Sequence, residues 1–358
     1  MLGTAASLLA AVLFWAVPVS GISARKAVVV DQVGREICYE KQAQDPSLIA
    51  STTKIMTALV VCENCNVLET VKIPREAVGV EGSSLYLQQG EVLSVQELLY
   101  GLMLRSGNDA AVALAIHCGG SVAGFAELMN EKARMLGMTG SHFENPHGLD
   151  GKNHRSTARD LGILGLYAME NPIFRMTVSK KQVRIGDRYL KNHNKLLWSL
   201  PGCDGIKTGY TRAAGRILVS STRRMGRRIA VVTIDAPSDW QDHKTLTEQA
   251  FGAYQQRRLI KKGQQVLSLE VAGGESPVVS LKAGEDFSFP VRREEEAMVL
   301  LPGPGFQYAP VVKNTPAGQA LVLIKGTVVG KIPLVYGKTV EIQRDPPGFW
   351  EKWFGGNP

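Results

Sequence analysis

The sequence has little that would mark a nucleic-acid reader, a zinc enzyme or an integral membrane protein. Lys and Arg outnumber Asp and Glu by 41 to 33, a formal net charge of +8. The basic residues are scattered, however, and no long basic run interleaves with aromatics, so no nucleic-acid partner is expected. The excess charge suits an anionic envelope polymer or membrane surface better. Histidine is scarce, at six residues. His142, His147 and His154 lie close together, but no H-E-x-x-H or comparable ligand spacing appears. His147 therefore reads as a loop hydrogen-bonder, and neither a metal nor any other cofactor is expected. The apolar run from Ala5 to Val17 is too short for a comfortable membrane span. Cysteine is sparse and odd in number: Cys38, Cys62, Cys65, Cys118 and Cys203. At least one stays unpaired within a single chain. Cys62-Glu63-Asn64-Cys65 is a CxxC without a second pair at zinc spacing and without thioredoxin-like context. It reads as the end of a helix, with a local disulfide open to it outside the cell. There is no internal repeat.

What is present is an ordinary globular composition, 44% hydrophobic and 21% charged, in a chain long enough for about two domains. The Ala5–Val17 run followed by small residues from Val19 to Ala24 resembles a signal peptide core and its cleavage region, although no Lys or Arg precedes Arg25. Residues 1–24 are expected to be the signal, with cleavage after Ser20, Gly21, Ser23 or Ala24, and the protein to be exported. Lys26–Asp31 and Glu36–Glu40 flank a Gly34 turn and predict an opening hairpin. Ser51–Glu63 has helical spacing, with Ile55, Leu59 and Cys62 on one face. Ser94 with Glu97 forms a capping box for a helix through Leu104. Asp109–His117 and Ser121–Leu136 predict two further helices. Ile217–Ser221 and Arg228–Asp235 predict a hairpin, and Leu246–Tyr254 a helix. Helices between an opening hairpin and late strands argue for an α+β domain with an antiparallel sheet. After Lys262 short strand-like runs follow, Val266–Val271, Phe287–Val291, Met298–Leu301, Leu321–Ile324 and Lys331–Val335. Gly and Pro turns separate them, predicting a small all-β sandwich.

Three motifs carry chemistry. Ser51-Thr52-Thr53-Lys54 is an S-x-x-K at a helix start, where residues three apart share a face and the hydroxyl can meet the amine. Ser23-Ala24-Arg25-Lys26 has the same spacing but leads into a strand, where residues three apart point to opposite faces. Ser106-Gly107-Asn108 sits in a loop between helices, a place from which polar groups reach a cleft. Lys207-Thr208-Gly209 offers donors to a carboxylate, with a glycine that lets a substrate backbone approach. Each motif alone is weak. Together, in the order S-x-x-K, S-x-N, K-T-G, they would be a rare accident, and the set marks penicillin-binding proteins and class A β-lactamases.

The chain resembles the serine D-alanyl-D-alanine carboxypeptidases, the low-molecular-mass penicillin-binding proteins of peptidase family S11. The resemblance rests on these motifs and on ASTTKIMTALV (50–60), MLRSGNDAAVALA (103–115), NPHGLD (145–150), STARDL (156–161) and PGCDGIKTGYT (201–211). It covers about Ala24 to Tyr336. It implies a β-lactamase/transpeptidase-like catalytic domain over 25–262 and a β-sandwich over 263–342, then an aromatic tail over 343–358. It implies Ser51 as nucleophile, Lys54 as its base, and Ser106 with Lys207 relaying a proton to the departing D-alanine. Backbone N–H groups of Ser51 and Tyr210 would form the oxyanion hole. Thr208 and Lys207 would hold the terminal carboxylate against the strand at Gly209, and Asn108 would orient the substrate amide. The implied partners are peptidoglycan stem peptides ending in D-Ala-D-Ala, and β-lactams as covalent inhibitors. One departure concerns the carboxylate. Relatives often carry an Arg beyond the K-T-G strand, and none occurs between Ile229 and Gln256, which leaves Arg212, Arg216 or Thr208 alone for that role. A class A β-lactamase would need a Glu in an E-x-x-L-N stretch, which is missing. A D,D-endopeptidase or transpeptidase of the same fold, and a non-catalytic β-lactam sensor, are the alternatives. In the tail, Phe349, Trp350, Trp353 and Phe354 would share one side of a helical turn, suited to peripheral membrane contact.

Overall fold

The computed structural model describes residues 21–344. The Ala5–Val17 run and the tail aromatics lie outside them. The chain forms two compact units. Among the described residues, one runs from Gly21 to Arg224 and resumes from Arg228 to Gly252; the other joins Met225–Arg227 to Ala253–Arg344.

The first unit opens with β1 (Lys26–Asp31), six buried residues, hairpinned to β2 (Ile37–Lys41) with a bulge between Val29 and Val30. A 3₁₀ turn over Ala50–Thr53 leads into α1 (Lys54–Asn64). The short ribbon β3 (Thr70–Lys72) and β4 (Val92–Ser94) follows. It delivers Ser94 as N-cap of α2 (Val95–Tyr100): the Ser94 hydroxyl accepts from the Glu97 N–H, and the Glu97 carboxylate accepts from the Ser94 N–H at 2.7 Å. Such a reciprocal cap satisfies two orphan donors and stabilises a helix start by about 1 kcal/mol. A π-helical turn over Gly101–Arg105 carries the chain to Ser106, and α3 (Asn108–Gly119) and α4 (Val122–Met135) follow. Next come α5 (Ala158–Glu170) and α6 (Pro172–Ser179), joined at Asn171, whose side chain accepts from the N–H groups of Ile173 and Phe174. The hairpin β5 (Gln182–Ile185) and β6 (Arg188–Lys191) and the turn α7 (Leu196–Ser199) lead to β7 (Cys203–Thr211), β8 (Gly215–Arg224), β9 (Arg227–Ile234) and α8 (Asp239–Gly252).

The five long strands form one sheet in the order β2-β1-β9-β8-β7, so β7 is an edge strand. Alternation along the strands gives the sheet two covered faces. A Cβ on Gly162 of α5 would stand 2.7 Å from Val30 and close to Val28 and Val232, so α5 lies directly on that face. The alternate residues face α8: His243 bonds the Ser220 hydroxyl through Nδ1 at 2.6 Å and the Thr233 hydroxyl through Nε2 at 3.0 Å. The main core runs from β1 through α1, α3 and α5, with Ile55, Met56, Leu59, Ala111, Leu114, Leu161 and Leu164 all fully buried. Burial of each such large side chain is worth about 1.5–3 kcal/mol. α8 begins seven residues before the predicted start at Leu246. Its first turns are polar, with Asp239, Asp242 and His243 buried, so they carry no apolar periodicity. Ser23 and Ala24 are already part of this unit. Their N–H groups and the Ser23 hydroxyl donate to the Asp242 carboxylate, whereas Lys26 Nζ donates to Asp45 O, Pro46 O and Ser47 Oγ.

The second unit is all β. It contains β10 (Gln255–Ile260), β11 (Gln265–Ala272), β12 (Val278–Ala283), β13 (Phe287–Val291), β14 (Met298–Leu300), β15 (Phe306–Tyr308), β16 (Pro316–Ile324) and β17 (Thr327–Tyr336). Six strands pair in the order β14-β16-β17-β12-β11-β15, and β10 pairs with β13. Ile260, Leu269, Val279, Leu281, Val322, Ile332 and Leu334 share one core. The unit takes in β10, which is mostly exposed and carries the polar run Gln255–Arg258, so no hydrophobic pattern announced it before Lys262.

Candidate active site

The site is built where α1, α3 and β7 start or pass close together. Lys54 is fully buried at the first turn of α1. Its ammonium nitrogen donates to Ser51 Oγ at 3.1 Å, Asn108 Oδ1 at 2.6 Å and the His147 carbonyl at 2.7 Å. None of these acceptors is a carboxylate. Burial, and then the neighbouring Lys207, push the Lys54 pKa well below its usual value, with Asp109 opposing. Both influences favour the neutral amine, the form that can accept a proton. Lys207, also buried, is lowered to about 7 by burial and donates to its neighbour's carbonyl, Thr208 O, at 2.8 Å.

Ser51 sits in the 3₁₀ turn just before α1, preceded by Ala50 at φ 45°. That left-handed value is costly for a residue with a Cβ and holds the chain at a sharp corner. The edge strand β7 passes against this corner: a Cβ on Gly209 would stand 3.3 Å from the Ser51 nitrogen and 3.2 Å from that of Thr52. A side chain here would push the two backbones a few tenths of an ångström apart, and glycine keeps the approach. Tyr210, next on β7, is 67% exposed, and Thr208 is half-buried.

Ser106 is buried and left-handed, at φ 66°, where the π-helical turn ends. Asn108 opens α3. Its Oδ1 faces Lys54 and its amide donates to Glu81 O, so both ends of the side chain are engaged inside the protein. Its side-chain oxygen thus helps hold Lys54 in place.

Two groups escaped the sequence reading. Asp109 is buried, and one of its oxygens accepts from Ser84 Oγ, Leu85 N and Leu87 N, which ties the 84–87 loop over the S-x-N motif. The 143–154 loop is latched to successive positions of α1: Thr53 to His154 at 2.8 Å, Lys54 to His147 O, and Thr57 to Pro146 O at 2.7 Å. The Glu144 N–H donates to His154 Nδ1, which puts the ring hydrogen on Nε2, toward Thr53. Burial lowers His154 to about 4 and, with Lys54, lowers His147 to about 4, so both rings are neutral near pH 7. The signal was present in NPHGLD, but a backbone carbonyl as acceptor has no side-chain signature. Among the described residues no group of three or more His, Cys, Asp and Glu is placed to hold a metal ion.

The family model described as D-alanyl-D-alanine carboxypeptidase, peptidase S11, matches residues 15–238. The chain belongs to this family. Residues 254–342 match the model of the penicillin-binding protein 5 C-terminal domain. The D-alanyl-D-alanine carboxypeptidase DacF of Bacillus subtilis is 30% identical over 286 residues, 76% of this chain and 74% of the relative. The solved structure of penicillin binding protein 5 from Haemophilus influenzae matches at 27% identity and TM-score 0.63, over 90% of this chain and 98% of that one. Penicillin-binding protein D2 from Listeria monocytogenes, solved in its ampicillin-bound form, matches at 33% identity and TM-score 0.60, over 65% and 99%. This carboxypeptidase is therefore a cell-wall enzyme that acts outside the cytoplasm. Among the described residues of this D-alanyl-D-alanine carboxypeptidase no single helix is long and apolar enough to cross a membrane.

Proposed function

We propose that the protein removes the terminal D-alanine from peptidoglycan stem peptides through an acyl-enzyme on Ser51, and that penicillins acylate the same residue. The observation that carries this reading is a Ser51 hydroxyl 3.1 Å from a fully buried Lys54, with the Gly209 backbone against the Ser51 nitrogen. Neutral Lys54 takes the Ser51 proton as Oγ attacks the carbonyl of the penultimate D-alanine. The developing oxyanion meets the N–H groups of Ser51, at the helix start, and Tyr210, on the edge strand. The C–N bond then breaks, and Ser106 with Lys207 returns a proton to the D-alanine amine. Water adds to the acyl-enzyme, with Lys54 again as base, and releases the shortened peptide. In a β-lactam the amine stays tethered after its ring opens, so the acyl-enzyme persists. The substrate lies along the free edge of β7.

Lys207 and Thr208 hold the terminal carboxylate. Arg216 stands opposite Tyr210 in the β7–β8 register, but its Nη2 bonds both Asp239 oxygens at 2.9 and 3.0 Å. Its charge is largely committed there, and the contact falls to the K-T-G strand. The test is incubation of the protein with a diacyl peptide ending in D-Ala-D-Ala. Free D-alanine is the expected product. Transfer of the acyl group to an added amine in preference to water would favour a transpeptidase, and penicillin labelling without turnover a sensor.

The finer location is the outer face of the cytoplasmic membrane, held by the aromatic tail. Phe349, Trp350, Trp353 and Phe354 supply the interfacial rings and Lys352 a headgroup contact. Removing residues 349–358 is expected to release the protein from anionic liposomes without loss of D-alanine release. Equal sedimentation of full-length and shortened protein would rule the tail out.

A further inference from the structure

The CxxC of the sequence does not pair within itself. Cys62 points inward from α1 and is buried, its thiol pushed up to about 12, first by burial. Cys65 terminates α1, its N–H closing on Val61 O at 2.9 Å, and its thiol neighbours that of Cys118 in the last turn of α3, each thiol being the largest influence on the other's ionisation. A second contact fixes the same two segments beside each other: Glu69, just beyond α1, bonds His117 at 3.1 Å, one residue before Cys118. Cys65 and Cys118 are both only partly buried, so a small oxidant reaches them, and both rest against the main core.

We infer that Cys65 and Cys118 are a disulfide site, bridging the C-terminal ends of α1 and α3 in the exported protein. These two helices carry Lys54 and Asn108 at their opposite ends, joined by the 2.6 Å hydrogen bond. A bridge therefore clamps the pair about 16 Å from the chemistry, the length of the eleven-residue α1. The two thiols influence each other in opposite directions: the Cys118 thiol is lowered by its neighbour and the Cys65 thiol is raised. Cys118 is thus the attacking thiolate. It displaces one thiol from a small-molecule or protein disulfide, forming a mixed disulfide. Cys65 loses its proton and attacks the Cys118 sulfur, releasing the second thiol. Two electrons and two protons pass from the cysteines to the oxidant, whose disulfide leaves as two thiols. Outside the cytoplasm such oxidants persist.

The test treats the full-length protein with oxidised glutathione, blocks remaining thiols, digests it and sequences the products by mass spectrometry. The expected result is one cross-linked peptide pair carrying Cys65 and Cys118, with Cys38, Cys62 and Cys203 alkylated. A Cys62–Cys65 link, or five alkylated thiols, would overturn the proposal. The bridge closes a loop of roughly fifty residues, so the oxidised form should melt about 5–10 °C above the reduced form. Cys118→Ser should abolish that difference and Cys62→Ser should keep it. A redox-dependent shift that survives in Cys118→Ser would also overturn the assignment.

Discussion

Ser51→Ala should fold, melt as the wild type does, and show neither D-alanine release nor covalent labelling by a fluorescent penicillin. The expected loss is about a millionfold, the scale seen when a serine nucleophile is removed from a preorganised site. Folding should survive because Lys54 keeps two of its three acceptors, Asn108 Oδ1 and His147 O. The corner that presents residue 51 is set by backbone, by Ala50 in the left-handed region and by Gly209 against the Ser51 nitrogen, and not by the hydroxyl. Mass spectrometry of the penicillin-treated variant is the decisive measurement. Label retained on a folded Ser51→Ala protein would remove Ser51 from the mechanism. Ser23 is no substitute, because its hydroxyl is spent on Asp242 and Lys26 turns to the 45–47 loop.

Lys54→Arg should lower the acylation rate at least about a hundredfold, equivalent to about 2.7 kcal/mol of transition-state stabilisation. A guanidinium keeps the charge and the donors but does not give up its proton in this pH range. The pH profile separates loss of the base from mere misplacement. In the wild type Lys54 is held well below its usual pKa by burial and by Lys207. Its proton leaves as pH rises, so acylation by penicillin should climb with pH through that titration. The variant should lack this limb. Near wild-type acylation, or an unchanged limb, would transfer the role of base to Ser106. Since position 54 is fully enclosed, thermal unfolding must accompany the kinetics, and a variant that no longer melts cooperatively is replaced by Lys54→Met.

Much of the architecture was readable before any coordinates because its signals are local. The Ser94–Glu97 capping box, the alternation and turn of the opening hairpin, and the apolar face of Ile55, Leu59 and Cys62 each depend on residues within a few positions of one another. What was missed had no local signal. The first turns of α8 bury Asp242 and His243, whose partners, Ser23, Ser220 and Thr233, are remote in sequence. Arg257 and Arg258 make β10 look like a surface linker until β13 arrives to pair with it. The CxxC looked self-contained, and the thiol that most affects Cys65 belongs to Cys118, on another helix.

By itself the sequence determined the chemistry available to this protein: which hydroxyl, which amines, and the helical spacing that lets Ser51 meet Lys54. Tertiary structure decided what those groups are. Enclosure by α3 and the 143–154 loop lowers the pKa of Lys54 well below that of an ordinary lysine, because taking an ammonium out of water disfavours its charge. The docking of edge strand β7 brings Lys207 and Gly209 to a serine that precedes them by more than 150 residues. Such a distance is closed only by the packing of the core, which no motif encodes.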